Sequence, residues 1–248
     1  MVTLTIDGQE IQAKEGATIL EVAREKGIEI PSLCYHPSVS SVGACRLCMV
    51  EITKDGRTRL VASCLYPVED GLMVKSNSQR VTNIRKTAME LLLARCPNSK
   101  PIQDIAKSMG VDSTDFELED EDCVLCGLCV RVCQEIAGVD AISLISRGTL
   151  RKVAPPFEEE SEVCIGCGSC AHVCPTGTIK IEDIGDTRII HNWKAEFKLK
   201  ECKICGSHFA PEAQLEYLGR ILDLPEEHFE LCQDCRVKTT EPIQSLVE

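Results

Sequence analysis

All but one of the chain's 17 cysteines fall into four spaced sets, and thiolates at fixed spacing are ligands for iron or zinc. Cys123, Cys126, Cys129 and Cys133 set out the run C-x2-C-x2-C-x3-C, and Cys164, Cys167, Cys170 and Cys174 repeat it with Pro175 behind. Three thiolates in one tight loop can cover three corners of a [4Fe–4S] cubane. The fourth is expected to open the next helix, point away and ligate the other cluster. The spacing therefore assigns cluster A to Cys123, Cys126, Cys129 and Cys174, and cluster B to Cys164, Cys167, Cys170 and Cys133. Gly127, Gly166 and Gly168 give such loops their backbone freedom. Disulfides or paired zinc knuckles could also use eight cysteines, but neither calls for a tandem repeat of every spacing. Sites of this kind carry electrons.

A third set, Cys34, Cys45, Cys48 and Cys64, has the spacing C-x10-C-x2-C-x15-C. One early ligand, a close pair and a late ligand returned by a strand hairpin suit a [2Fe–2S] cluster, with a zinc site as the competing reading. Gly43 and Ala44 are small enough to let backbone N–H groups approach its sulfides. The lead-in must position these thiols. Val2, Leu4 and Ile6 alternate on a strand, Asp7-Gly8 turns, and Glu10 to Lys14 returns. Thr18 can cap a helix that buries Ile19, Leu20, Val22 and Ala23 and closes at Gly27. Pro31 then forces an extended entry to Cys34. The pattern is β-grasp-like.

The fourth set lies in the tail as two knuckles, Cys202 with Cys205 and Cys232 with Cys235, separated by an expected helix from Pro211 to Leu222. Four thiolates in separated pairs suit one structural zinc ion, with a further Fe–S cluster as the alternative. Phe209 follows the first knuckle as its apolar support, and His208 and His228 read as surface residues. A small docking module for a partner subunit is the expected role. Cys96, the unassigned cysteine, sits at the end of an expected helix from Gln79 to Ala94 and reads as a small buried non-ligand.

Composition narrows the function further. Of the 248 residues only 4% are aromatic, which fits small modules stabilised by ligation. The net charge is −12, so no nucleic-acid partner is expected. Acidic stretches at 112–122 and 158–162 are solvated loops or a docking face for a basic redox partner. No secretory signal and no run of 18 apolar residues is visible, so a cytoplasmic chain with no membrane span is expected. Cysteines at this density in a reducing compartment serve metals. No G-x-G-x-x-G fingerprint and no catalytic constellation stands out, so no catalytic residue is assigned.

The segments VTLTIDGQEIQAKEGATILEVAREKGIEIPSLCYHP, GACRLCMVEI and VASCLYPVEDGLMV resemble the N-terminal region of a known group. The group comprises complex I large iron–sulfur subunits, diaphorase small subunits of NAD-linked hydrogenases, and iron-only hydrogenases. CVLCGLCVRVCQEIAGVDAI and CGSCAHVCPTGTI match the two-cluster module of the same families, and the resemblance covers about residues 1–185. Those relatives usually hold a further cluster on one His and three Cys. Here no His lies between His36 and His172 and no Cys between Cys96 and Cys123, so that cluster is expected to be absent. The expected class is α+β: a β-grasp [2Fe–2S] domain (1–78), a helical linker (79–118), a bacterial-ferredoxin-like 2[4Fe–4S] domain (119–185) and a small C-terminal metal-knuckle module (186–248). The resemblance implies an electron-transfer subunit of a cytoplasmic NAD(P)-linked multisubunit oxidoreductase, best matched to flavin-based electron-bifurcating complexes. Its implied partners are a flavoprotein carrying FMN and an NAD(P) site, a further catalytic redox subunit, and ferredoxin in some members. A free multicluster ferredoxin acting as a diffusible carrier is the alternative.

Overall fold

Local signals account for the start of the first sheet. β1 (Val2–Ile6) pairs antiparallel with β2 (Gln9–Ala13), and alternation puts Leu4, Ile6, Ile11 and Ala13 into one core. α1 (Ile19–Glu25) begins at a full capping box: the Glu21 N–H donates to Thr18 Oγ1 and the Thr18 N–H donates to the Glu21 carboxylate. Its stripe of Ile19, Leu20, Val22 and Ala23 is buried against the sheet, at about 1.5–3 kcal/mol for each large apolar side chain. β3 (Met49–Lys54) and β4 (Arg57–Ala62) form a hairpin. β5 (Met73–Lys75) enters parallel to β1 and antiparallel to β3, completing the order β2-β1-β5-β3-β4.

The computed structural model describes residues 1–239; residues 240–248, the end of the expected knuckle module, lie outside the described residues. α2 (Gln79–Arg95) starts where Ser78 Oγ accepts from the Val81 N–H, and it ends one residue beyond the expected Ala94. α3 (Lys100–Ser108) follows, burying Ile102 and Ala106. α2 is tied at its middle and at its C-terminal end. Arg85 Nε and Nη2 donate to the Met49 carbonyl at 3.0 and 2.6 Å, and Arg95 Nε donates to the Cys123 carbonyl at 2.8 Å.

The chain forms two compact units, which divide the cysteine runs between them. The first holds residues 1–131 together with Cys174–Thr178. The second holds Val132–Val173 and the described residues from Ile179 onward.

In the first unit α4 (Leu128–Arg131) contains Cys129; the backbone then continues into the second unit as a π turn, Val132–Ile136, that contains Cys133. The second unit adds the short hairpin β6 (Ser143–Ile145) and β7 (Lys152–Ala154), and α5 (Ser169–His172), which contains Cys170. The expectation that the fourth cysteine opens a helix is corrected here. The third cysteine of each run lies within the helix, while Cys133 sits in the π turn after α4 and Cys174 beyond the end of α5. The physical reason is the x3 spacing, which carries the chain about one helical turn past the third ligand.

An antiparallel sheet of order β11-β10-β9-β8 follows, made of β8 (Ile181–Ile184), β9 (Thr187–Ile190), β10 (Ala195–Glu201) and β11 (His208–Pro211). Residues 185 and 186 make the turn between β8 and β9. α6 (Glu212–Leu222) matches the helix expected from Pro211, and α7 (Gln233–Thr239) ends the described residues. No helix among them is long and apolar enough to cross a membrane.

Candidate metal centres

The β3–β4 hairpin builds the first site. Its last pair is Met49 with Ala62, so the residues just outside the ladder meet, and the Ser63 N–H donates to the Cys48 carbonyl at 3.0 Å. Cys48 and Cys64 thus come together, and the loop from Cys34 to Cys45 folds over them. All four thiols are buried. They stand in two touching pairs, in which the shared hydrogen bond holds Cys45 and Cys48 down and pushes Cys34 and Cys64 up. The Leu33 N–H donates to Cys45 Sγ at 3.4 Å and the Cys45 N–H to Cys34 Sγ at 3.5 Å. Gly43 has a φ of +60°, a backbone conformation in which any side chain is strained, and a Cβ there would also have to displace the tip of Leu65, 2.7 Å away. Ser63 Oγ is fully buried beside Cys48 and helps to hold that thiol down. Buried thiols met by N–H donors and a buried hydroxyl fit an anionic sulfide-bearing group.

Around Cys123 the structure gathers Cys126, Cys129 and the returning segment Cys174–Thr178 in one unit. Thr178 Oγ1 donates to the Asp122 carbonyl at 2.6 Å and shares a 2.6 Å hydrogen bond with Thr176 Oγ1. Burial pushes the Cys126 thiol up to about 11, and Cys123 and Cys174 add to the rise. Cys123 is raised by burial, with Cys174 again a contributor. Cys174 therefore sits with the first run and not with its own.

Cys133 makes the reciprocal move. It lines one pocket with Cys164, Cys167 and Cys170, closed by Ile142 and Trp193. The Ala141 N–H donates to Cys133 Sγ at 3.3 Å, and Trp193 Nε1 donates to Cys170 Sγ at 3.5 Å. A Cβ at Gly166, where φ is +67°, would meet Phe197 Cγ at 2.6 Å. Arg188, paired with Asp183 through two 2.8 Å bonds, also donates to the Gly166 carbonyl. Sequence reasoning did not find Trp193, Phe197 or Arg188. The available signal was the chain's one tryptophan, placed shortly after a cysteine run in a chain poor in aromatics.

In the tail the Sγ atoms of Cys202, Cys205, Cys232 and Cys235 all lie within 4.8 Å of one another, and Cys205 to Cys232 is 3.7 Å. Backbone N–H groups of Cys205 and Cys232 hold the Cys202 thiol down to about 6. The Cys232 N–H reaches Cys202 Sγ at 3.3 Å. Phe209 and Leu231 pack on the buried cysteines. A tetrahedral ion with bonds of about 2.3 Å to sulfur sets its ligands about 3.8 Å apart. Cubane ligands stand wider, since each lies outside an iron at a corner. His208 and His228 are exposed, as expected, and His228 Nε2 lies 3.3 Å from Arg236 Nη1.

Cys96, expected to be a non-ligand, stands outside the four spaced sets. It is fully buried at the end of α2, and burial pushes its thiol up to about 12. Cys96→Ala is therefore expected to leave iron and sulfide per chain unchanged. Colorimetric iron analysis checks it, and loss of one cluster's iron would show that Cys96 is a ligand.

Known families match in the same order along the chain. Residues 1–79 match a 2Fe-2S iron-sulfur cluster binding domain, residues 116–181 a 4Fe-4S dicluster domain, and residues 157–208 a second dicluster model. The chain is 36% identical over 173 residues to NADPH-Fe(3+) oxidoreductase subunit alpha of Geobacter sulfurreducens, covering 60% of this chain and 20% of that protein. It is 35% identical over 173 residues to the NADH-ubiquinone oxidoreductase 75 kDa subunit of Reclinomonas americana, covering 60% and 25%. The chain thus spans between a fifth and a quarter of the length of these relatives. A chain of an NAD+-reducing [NiFe]-hydrogenase in its H2-reduced state superposes with a TM-score of 0.55 at 31% identity, covering 62% of this chain and 74% of that one. With a [2Fe–2S] domain leading into a [4Fe–4S] dicluster domain, this chain belongs to the family of iron–sulfur subunits shared by complex I and the NAD-reducing hydrogenases.

Proposed function

We propose that the chain is the iron–sulfur electron-transfer subunit of an NAD(P)-linked multisubunit oxidoreductase. The observation that carries this reading is the exchange of fourth ligands: Cys174 keeps company with Cys123, Cys126 and Cys129, and Cys133 with Cys164, Cys167 and Cys170. On it, these two sets hold the two [4Fe–4S] clusters A and B. Cys34, Cys45, Cys48 and Cys64 hold the [2Fe–2S] cluster in a β-grasp domain. Cys202, Cys205, Cys232 and Cys235 form a knuckle module that holds one zinc ion.

The bound clusters supply one-electron redox capacity, and the chain's residues set where and how stably each resides. The N–H groups of Leu33 and Cys45 approach the first thiolate set, and Trp193 Nε1 approaches Cys170. Ile142 and Trp193 line the pocket beside Cys133, Cys164, Cys167 and Cys170. With no catalytic group assigned, two-electron chemistry falls to partners: a flavoprotein with FMN and an NAD(P) site, and a further catalytic redox subunit. The relatives named for NADH, NADPH and NAD+ support that class of partner. Flavin-based electron bifurcation in the cytoplasm is the finer reading, with ferredoxin as one acceptor.

Iron, zinc and acid-labile sulfide on anaerobically purified protein test the reading. About ten iron, ten sulfide and one zinc per chain are expected, with bleaching by NADH or NADPH only when the flavoprotein is added. Far less iron, or clusters that cannot be reduced and reoxidised, would overturn it.

A further inference from the structure

Arg131 lies between Cys129 and Cys133, a place that says nothing of burial, yet it is only 6% exposed. Its guanidinium is taken up by carbonyls. Nε donates to Gly127 O at 3.2 Å, Nη2 donates to Cys126 O at 3.0 Å and also to Cys34 O at 2.9 Å, and Nη1 donates to Ser40 O. Gly127 and Cys126 belong to the loop of cluster A. Cys34 is a thiol of the [2Fe–2S] set, and Ser40 lies in the loop between Cys34 and Cys45. One nitrogen, Nη2, therefore joins the backbone carbonyls of a proposed ligand from each site.

Among the described residues Arg131 makes no ion pair with a carboxylate. A buried cation is costly, and carbonyl dipoles offset only part of that. The two thiolate sites whose backbone carbonyls it binds adjoin it, and its charge acts to lower the Cys126 thiol. A second device acts in the same direction: α2 is tied by Arg85 to Met49, next to Cys48, and by Arg95 to Cys123. The helix of the segment expected to lack the His-ligated cluster is thus fastened, at its middle and at its C-terminal end, to the loops it separates.

We infer that Arg131 is a positioning residue that locks the [2Fe–2S] loop to the loop of cluster A, fixing a direct route for one electron between them. The inference rests on the cluster assignments proposed above. Arg131 forms and breaks no bond during transfer: a single electron leaves one site as it arrives at the other, and no proton is required. The fixed guanidinium also favours the reduced, more negative form at both sites.

The test uses the full chain, anaerobically purified and fully reduced, with iron and sulfide counted for each variant. The readouts are the spin relaxation of the reduced [2Fe–2S] signal and the midpoint potentials of both clusters. In the unaltered protein the [2Fe–2S] spin should relax at least twofold faster than in Cys174→Ser, which lacks the neighbouring paramagnet. Arg131→Met with full iron should lose that enhancement. Its two potentials should move negative enough to shift the oxidised-to-reduced ratio severalfold at fixed potential. Arg131→Lys, which keeps the charge but cannot span four carbonyls, should retain most of the potential and lose part of the relaxation effect. Unchanged relaxation and potentials in an iron-replete Arg131→Met would overturn the proposal while leaving the cluster assignments standing. If Arg131→Met fails to assemble, the unaltered protein decides: a [2Fe–2S] spin relaxing no faster than in Cys174→Ser defeats the direct route. A low iron count in the unaltered protein defeats the underlying assignments instead.

Discussion

Cys174→Ser is expected to cost the full chain one cubane, about four iron and four sulfide, and the cluster lost is the one seated on Cys123, Cys126 and Cys129. Double variants show which cluster it is. Because Cys174 and Cys123 serve one site, Cys174→Ser with Cys123→Ser should lose no more iron than either alone. Cys174→Ser with Cys164→Ser should lose both cubanes, about eight iron. The geometry behind this is specific. Cys174–Thr178 lies in the first unit, and Thr178 Oγ1 fastens it to the carbonyl of Asp122, the residue before Cys123. Cys133, from the first run, lines the pocket of the second. If the Cys174/Cys123 pair loses twice the iron of either single variant, each run holds its own cluster and the exchange is wrong. Loss of one fourth ligand has consequences beyond the site, since each cubane joins segments distant in sequence and its ligation free energy is folding free energy.

How much of this was legible in the residues depends on the range of the forces involved. The β1–β2 hairpin, the Thr18 capping box and α6 are local: period-two alternation, a side chain three residues from its partner, and helical spacing decide them. The cysteine sets were legible because ligand spacing reports the loop a cluster needs. β5 has three residues and takes its place between β1 and β3 through pairings from distant chain, so nothing in Met73–Lys75 announces it. The same holds for Trp193 and Phe197, which reach the second cysteine run only once β8 to β11 fold. Arg131 carries no local signal at all. Its place between the third and fourth cysteines of a run says nothing of burial, and only the carbonyls of Cys34 and Ser40, some ninety residues away, reveal its role. Helix phase was misjudged for a different reason: the spacing fixes the separation between the third and fourth cysteines but not which of them the helix contains.

In the tail, Cys232→Ser is expected to remove one zinc per chain, leave iron and sulfide at about ten each, and open residues 202–239 to protease. The core there is too small to stand without the ion. Its buried residues are Cys202, Cys232 and Cys235, supported by the partly buried Phe209 and Leu231, and α6 contributes no fully buried residue. Hydrogen bonds such as the 2.9 Å contact from the Gly206 N–H to the Cys202 carbonyl shape the knuckle, but each contributes only about 1 kcal/mol net. The four thiolates are therefore the main tie between the 202–206 loop and α7. By contrast, β8 to β10 should remain protected, because Ile190, Trp193, Ala195 and Leu199 are buried independently of the knuckle. Limited proteolysis with mass mapping, run beside metal analysis, reads both effects in one sample. Zinc lost without new cleavage would mean that packing alone holds the tail. Loss of about four iron in place of zinc would put a cluster at this site and make the tail part of the electron path. The 3.7 Å approach of Cys205 to Cys232 favours the single ion, because a cubane would have to push those sulfurs apart and draw the two knuckles with them.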